Sequence, residues 1–279
     1  MTTEKTSANA NLALRFLTAL VMVPVILGLL FWAPSWGFVV MVYLGCAIAA
    51  QELFAMTMPG AKLLSSFGVL ATLAVMSAMI YLPTAPGALS ATLVGVAALG
   101  LLVGLMRPDP IEKASERTAW LIAGPLYVGG LVGTIALLHI RPHQGAWVLL
   151  SMCLAWMGDT GGYFAGRFLG KHKLYEKVSP KKTIEGSIGG LLGSVAGAVI
   201  AHYWYLPELP LVDGVILAIV AGALGQAGDL CESLIKRSTG VKDSGTLLPG
   251  HGGMLDRIDA LMFTAATTWI YATYVLDRR

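Results

Sequence analysis

At 279 residues, 56% of them hydrophobic and 13% charged, with a mean hydropathy of +0.72, this chain is too apolar for a water-soluble domain and belongs in a lipid bilayer. The net charge is only +3, and the absence of a basic arm or an acidic tail excludes nucleic acid as a partner. Cys46, Cys153 and Cys231 lie far apart, in or beside apolar stretches. That spacing excludes a zinc knuckle or a redox pair and leaves them as core-filling thiols.

Crossing the hydrocarbon core takes about 20 apolar residues in helical form, because lipid offers the backbone no hydrogen-bond partner. Nine stretches meet that length, at about 14–33, 37–57, 63–82, 88–106, 119–139, 146–165, 187–206, 213–235 and 257–276. The expected fold is therefore an all-α, polytopic bundle of about nine transmembrane helices. The first stretch follows a polar leader with Lys5 and Arg15 and is too long for a cleaved signal, so it reads as a retained helix. Breaker-rich turns such as Ala33-Pro34-Ser35-Trp36-Gly37, Pro83-Thr84-Ala85-Pro86-Gly87 and Pro207-Glu208-Leu209-Pro210 mark boundaries and carry no Lys or Arg. Two regions follow: residues 1–118, nearly featureless Ala, Leu, Val, Gly and Met, and residues 119–279, which hold two long loops at 167–186 and 236–257. Loops of that length in a compact bundle usually carry function.

With all nine stretches crossing, every Lys and Arg except Arg141, Arg278 and Arg279 falls on the side of the N-terminus. The positive-inside rule makes that side cytoplasmic, so the expected location is the inner (cytoplasmic) membrane, with the N-terminus and both long loops in the cytoplasm. On the same side lie Asp159 at the end of the sixth span, Asp229 and Glu232 at the end of the eighth, and Asp256 and Asp259 at the start of the ninth. Ionisable groups in spans are costly and face polar interiors, so three helices presenting acids at one depth form a candidate site. Asp256 and Asp259, three residues apart, share a helix face. Carboxylates grouped in this way repel unless a cation sits among them, and a magnesium ion held by one or two acids plus substrate phosphates meets that need. Glu52, alone in the second span, reads as a packing or pairing residue.

The second loop alternates cations, small residues and acids before the ninth helix begins. Gly250, His251, Gly252 and Gly253 allow backbone N–H groups to approach an anion, and the helix start adds a favourable dipole. In the first loop Lys171, Lys173 and Lys177 read as anchors for anionic headgroups. Lys181 and Lys182, flanked by Ser179, Thr183 and Glu185 directly before a span, suit the gripping of phosphates.

These residues resemble a known family. Ser233-Leu234-Ile235-Lys236-Arg237, then Lys242-Asp243-Ser244-Gly245, then Leu248-Pro249-Gly250-His251-Gly252-Gly253-Met254-Leu255-Asp256-Arg257-Ile258-Asp259, is similar to the hallmark motif of phosphatidate cytidylyltransferases. The blocks Gly158-Asp159-Thr160-Gly161-Gly162-Tyr163-Phe164-Ala165-Gly166-Arg167 and Ser179-Pro180-Lys181-Lys182-Thr183-Ile184-Glu185-Gly186 resemble its other recurring segments. The likeness runs from about residue 155 to residue 270. It implies transfer of CMP from CTP to phosphatidate at the cytoplasmic face, dependent on Mg2+ with room for a second cation, often in a homodimer.

On that reading Asp159, Asp229, Asp256 and Asp259 are the expected cation ligands. Lys236, Arg237, Lys242, Asp243 and Arg257 serve catalysis, the cations among them by neutralising phosphates. Ser179, Lys181, Lys182, Thr183, Glu185, Ser233, Gly250, His251, Gly252 and Gly253 are the expected substrate-binding residues. Two other functions compete. A CTP-dependent lipid kinase would release CDP instead of pyrophosphate, and an ion-coupled transporter would place its acids near the midplane.

Overall fold

The computed structural model describes residues 20–143, 145–245 and 252–278. Among these, helices occupy all nine stretches: α1 Leu20–Phe31, α2 Ser35–Thr57, α3 Lys62–Tyr81, α4 Ala88–Met106, α5 Ala114–Gly124 continued into α6 Leu131–His139, α7 Ala146–Leu169, α8 Ile184–Trp204, α9 Leu211–Ser238 and α10 Leu255–Tyr274. Six segments are long and apolar enough to cross a membrane: α2, α3, α4, Ile111–His139, α8 and α9. Of the nine expected spans, α1 as far as it is described, α7 and α10 fall outside that measure. α7 and α10 are 24 and 20 residues long, yet Asp159 and Arg167 on one, and Asp256, Arg257 and Asp259 on the other, dilute their apolar character.

The fifth expected span has an internal irregularity. Pro125 has no N–H to give, and the helix widens into a π turn over Pro125–Gly130 before resuming as α6. The first long loop is also more ordered than the sequence reading allowed. It folds into an antiparallel hairpin, β1 Lys173–Tyr175 and β2 Ser179–Thr183, with Lys173 opposite Thr183 and Tyr175 opposite Ser179.

The buried core runs from Leu30 on α1 to Ala272 on α10, and crosses the expected regional boundary near residue 118. Phe38 and Phe54 of α2, Leu121 of α5, Leu138 of α6, and Leu150 and Leu154 of α7 are almost wholly enclosed there. A different logic joins α7 to α8. A Cβ at Gly161 would strike the carbonyl oxygen of Gly189, and one at Gly193 would strike that of Met157, so the two helices touch backbone to backbone. Consecutive helices α7 to α10 alternate in direction, which brings the end of α7, the start of α8, the end of α9 and the start of α10 to one end of the bundle. At the opposite end Arg141 donates to the Ala272 carbonyl at 3.1 Å and pairs with Asp277 at 2.6 Å. Arg141 thus answers the carbonyl end of α10.

Candidate active site

Local sequence fixes each part of the site. Thr183 caps α8, its hydroxyl accepting from the Gly186 N–H at 3.1 Å. Glu185 in the first turn of α8 accepts from the Lys171 and His172 N–H groups at 3.0 and 3.2 Å and meets the His172 ring at 2.6 Å. This pins the hairpin to the helix start and turns Lys181 and Lys182 over a cavity of about 590 Å³. Asp159, Arg167, Gln226 and Asp229 also line that cavity. Lys182 Nζ lies 2.6 Å from Asp229 Oδ2. Beneath them, Ser187 donates to Gln226 Oε1 at 2.5 Å, and Gln226 Nε2 donates back to the Ser187 carbonyl at 3.0 Å, which clamps α8 to α9.

A second polar cluster sits where α9 ends and α10 begins. Lys236 is buried, and its ammonium pairs with Glu232 one turn back and with Asp256 Oδ1 at 2.6 Å. Asp256 Oδ2 accepts three bonds, from the Ser244 N–H at 2.9 Å, the Ser244 hydroxyl at 2.9 Å and the Gly253 N–H at 2.8 Å. Glu52 reaches across from α2. One of its oxygens accepts from the Met254 N–H at 3.0 Å and the other from the Leu255 N–H at 2.8 Å, while the single Ser244 hydroxyl proton, 3.1 Å away, is shared between Glu52 and Asp256. These donors belong to the otherwise unbonded first turn of α10, where a carboxylate is favoured by both hydrogen bonding and dipole. The packing is close enough that any Cβ at Gly253 would meet Glu52 and Ser244.

Between the two clusters Asp159 of α7, Asp229 of α9 and Asp259 of α10 lie within electrostatic range of one another. Asp229 has Lys182, whereas Asp259 accepts from the Ala260 N–H at 2.7 Å and has no ion-pair partner among the described residues. Their carboxylate oxygens are hard donors of the kind that a magnesium ion takes alongside water and phosphate oxygens. Among the described residues no three His, Cys, Asp or Glu come close enough together to hold a metal ion by themselves.

A profile of the cytidylyltransferase family matches residues 13–275. The chain belongs to this family. Phosphatidate cytidylyltransferases of Staphylococcus saprophyticus and Staphylococcus haemolyticus are 35% and 34% identical to it over 254 and 252 residues, which is 89% of this chain and 94% of each relative. The phosphatidate cytidylyltransferase of Staphylococcus aureus strain COL is 37% identical over 145 residues, 52% of this chain and 55% of its own.

Within this cytidylyltransferase the expected residues sort into three groups. Asp159, Lys181, Lys182, Thr183 and Asp229 meet at the polar cavity, with Asp259 beside them and Ser233 donating to Asp229 Oδ1 at 3.4 Å. Asp256, Lys236 and Gly253, by contrast, bond to one another, to Glu232 and to Ser244 at the loop between α9 and α10, as Glu185 bonds to the hairpin. Arg237, Lys242, Asp243 and Arg257 are exposed near this end, and Ser179 is half-buried in β2. Gly252 takes the left-handed conformation with φ +80°, while Gly250 and His251 lie outside the described residues. Glu52, Ser244, Ser187 and Gln226 were not expected to build the site. Glu52 carried a signal as an acid in an apolar span, with partners some 200 residues away, and Ser244 stood within the motif without a role assigned to it.

Proposed function

We infer that this cytidylyltransferase transfers the CMP unit of CTP to phosphatidate, leaving CDP-diacylglycerol in the bilayer and releasing pyrophosphate. The match to phosphatidate cytidylyltransferases over nearly their full length carries the reading. The polar cavity suits it, because opposed lysines and aspartates are what two anionic reactants require.

An oxygen of the phosphatidate phosphate forms a bond to the α phosphorus of CTP, and the bond from that phosphorus to the oxygen bridging to the β phosphorus breaks. The lipid phosphate is already largely ionised near neutral pH, its second pKa being about 6, so deprotonation is a minor demand. Holding the two anions in line is the larger one. Lys181 and Lys182 over the cavity offset the triphosphate charge, and Arg257, Lys242 and Arg237 extend that positive field towards the lipid. Asp159, Asp229 and Asp259 would hold Mg2+, which when bound supplies further positive charge to the triphosphate. Asp256 and Lys236 keep the loop between α9 and α10 in place above them. The bias of Lys and Arg supports a cytoplasmic position for this end of the bundle, in the inner membrane, with all nine helices crossing.

Purified protein given phosphatidate and CTP labelled at the α phosphate is expected to move label into lipid and release pyrophosphate, and to lose this activity on chelation and regain it with Mg2+. Release of CDP with phosphorylated lipid would instead identify a kinase. No labelled lipid from folded protein would overturn the reading and favour a carrier.

A further inference from the structure

A second cavity, of about 420 Å³, opens between α1, α2, α6, α7 and α10, and the transfer chemistry above makes no use of it. Phe38, Met41, Ile135, Met152 and Ile258 give it apolar walls, and one charged residue lines it, Arg257. The groove leads to the polar site. On α7, Met152, Trp156 and Asp159 are four and three residues apart and so share a face, which passes from the groove wall to the acidic trio. On α10, running the opposite way, Leu261 and Ile258 line the groove and Arg257 ends it, within electrostatic range of Asp159. From Gly45 to Phe38 the α2 wall spans about two helical turns, roughly 10 Å along the axis.

We propose that this groove seats one acyl chain of phosphatidate, with the lipid phosphate held at Arg257 beside the polar cavity. The inference rests on the transfer reading above. Two features favour the substrate over bulk bilayer lipid. The single cation at the end of an apolar trough matches an anionic headgroup on a hydrocarbon tail, and that cation lies within electrostatic range of Asp159 in the wall of the polar cavity. Seating the tail positions the phosphate without any polar contact to the glycerol, and hydrocarbon burial supplies binding energy that grows with chain length.

Gly45 provides the test. Nothing lies within 4 Å of a Cβ built there, so Gly45→Leu starts its side chain in open space at the groove wall. Gly95 on α4, equally open and away from the groove, gives Gly95→Leu as the control. Each protein would be assayed in mixed micelles with dioleoyl and with dihexanoyl phosphatidate. Gly45→Leu is expected to raise KM for the long-chain substrate on the order of ten-fold, the worth of about two methylene groups of lost burial. The short-chain substrate, which barely enters the groove, keeps its KM and kcat and shows that the variant is folded. Gly95→Leu changes neither. Equal effects of Gly45→Leu on both substrates, or none on either, overturn the proposal. Failure of the wild type to use either lipid would instead bring down the transfer reading, and this inference with it.

Discussion

Asp256 and Asp259 stand three residues apart on α10, and their surroundings demand different roles. Asp256 has both oxygens bonded, and the buried Lys236 pairs with it as well as with Glu232. Asp256→Asn should therefore lower thermal stability in detergent, by roughly 1–3 kcal/mol for a buried charged group left short of a partner, as well as activity. Asp259→Asn relieves repulsion from Asp159 and Asp229, so its melting temperature should hold or rise while turnover falls on the order of a hundred-fold. Measuring both quantities for both variants separates the roles, and equal destabilisation would contradict the division. Glu52→Gln keeps the shape but weakens charge-assisted bonds to the Met254 and Leu255 N–H groups, and a loss of about 1–2 kcal/mol is expected in the same melts. The acids themselves were legible in the sequence, because an ionisable residue in an apolar stretch announces itself. Which acid bonds to the protein and which stays open to a ligand was not legible, since that depends on Ser244 and Glu52 arriving from elsewhere in the chain.

The contact between α7 and α8 shows what a glycine-rich motif does when read as an element. Gly158, Gly161 and Gly162 stand around Asp159, and the spacing resembles a family segment without showing why glycine is required. In the fold these residues let the backbone of α7 lie directly against Gly186, Gly189 and Gly190 of α8, which holds Asp159 and Lys182 at the walls of one cavity. Gly161→Ala should push the helices apart, cost about 1–3 kcal/mol by overpacking and widen the cavity. A KM for CTP that rises with kcat little changed is the expected kinetic sign, and an unaltered melting curve would refute the close approach. Helix positions were readable from hydropathy because each span must satisfy its own backbone. The hairpin between α7 and α8 was not, for its strands are three and five residues long and are held by the local bonds of Glu185, which no periodicity reveals.

Across the whole bundle the lysine-rich polar clusters gather at one end, while the other holds the Arg141–Asp277 and His143–Glu208 pairs. In a cysteine-free background, Ser238→Cys at the end of α9 should react with a membrane-impermeant maleimide only in inverted vesicles, and Glu208→Cys only in right-side-out cells. The reverse pattern would turn the proposed orientation over. The bonds from Glu52 to the start of α10 also bear on how the protein can be taken apart. A fragment beginning near residue 119 keeps every acid of the trio yet leaves the Met254 and Leu255 amides without the carboxylate that receives them. Grafting a foreign hydrophobic anchor ahead of that fragment would rescue insertion without rescuing this corner, unless the graft also delivered a carboxylate at the right depth.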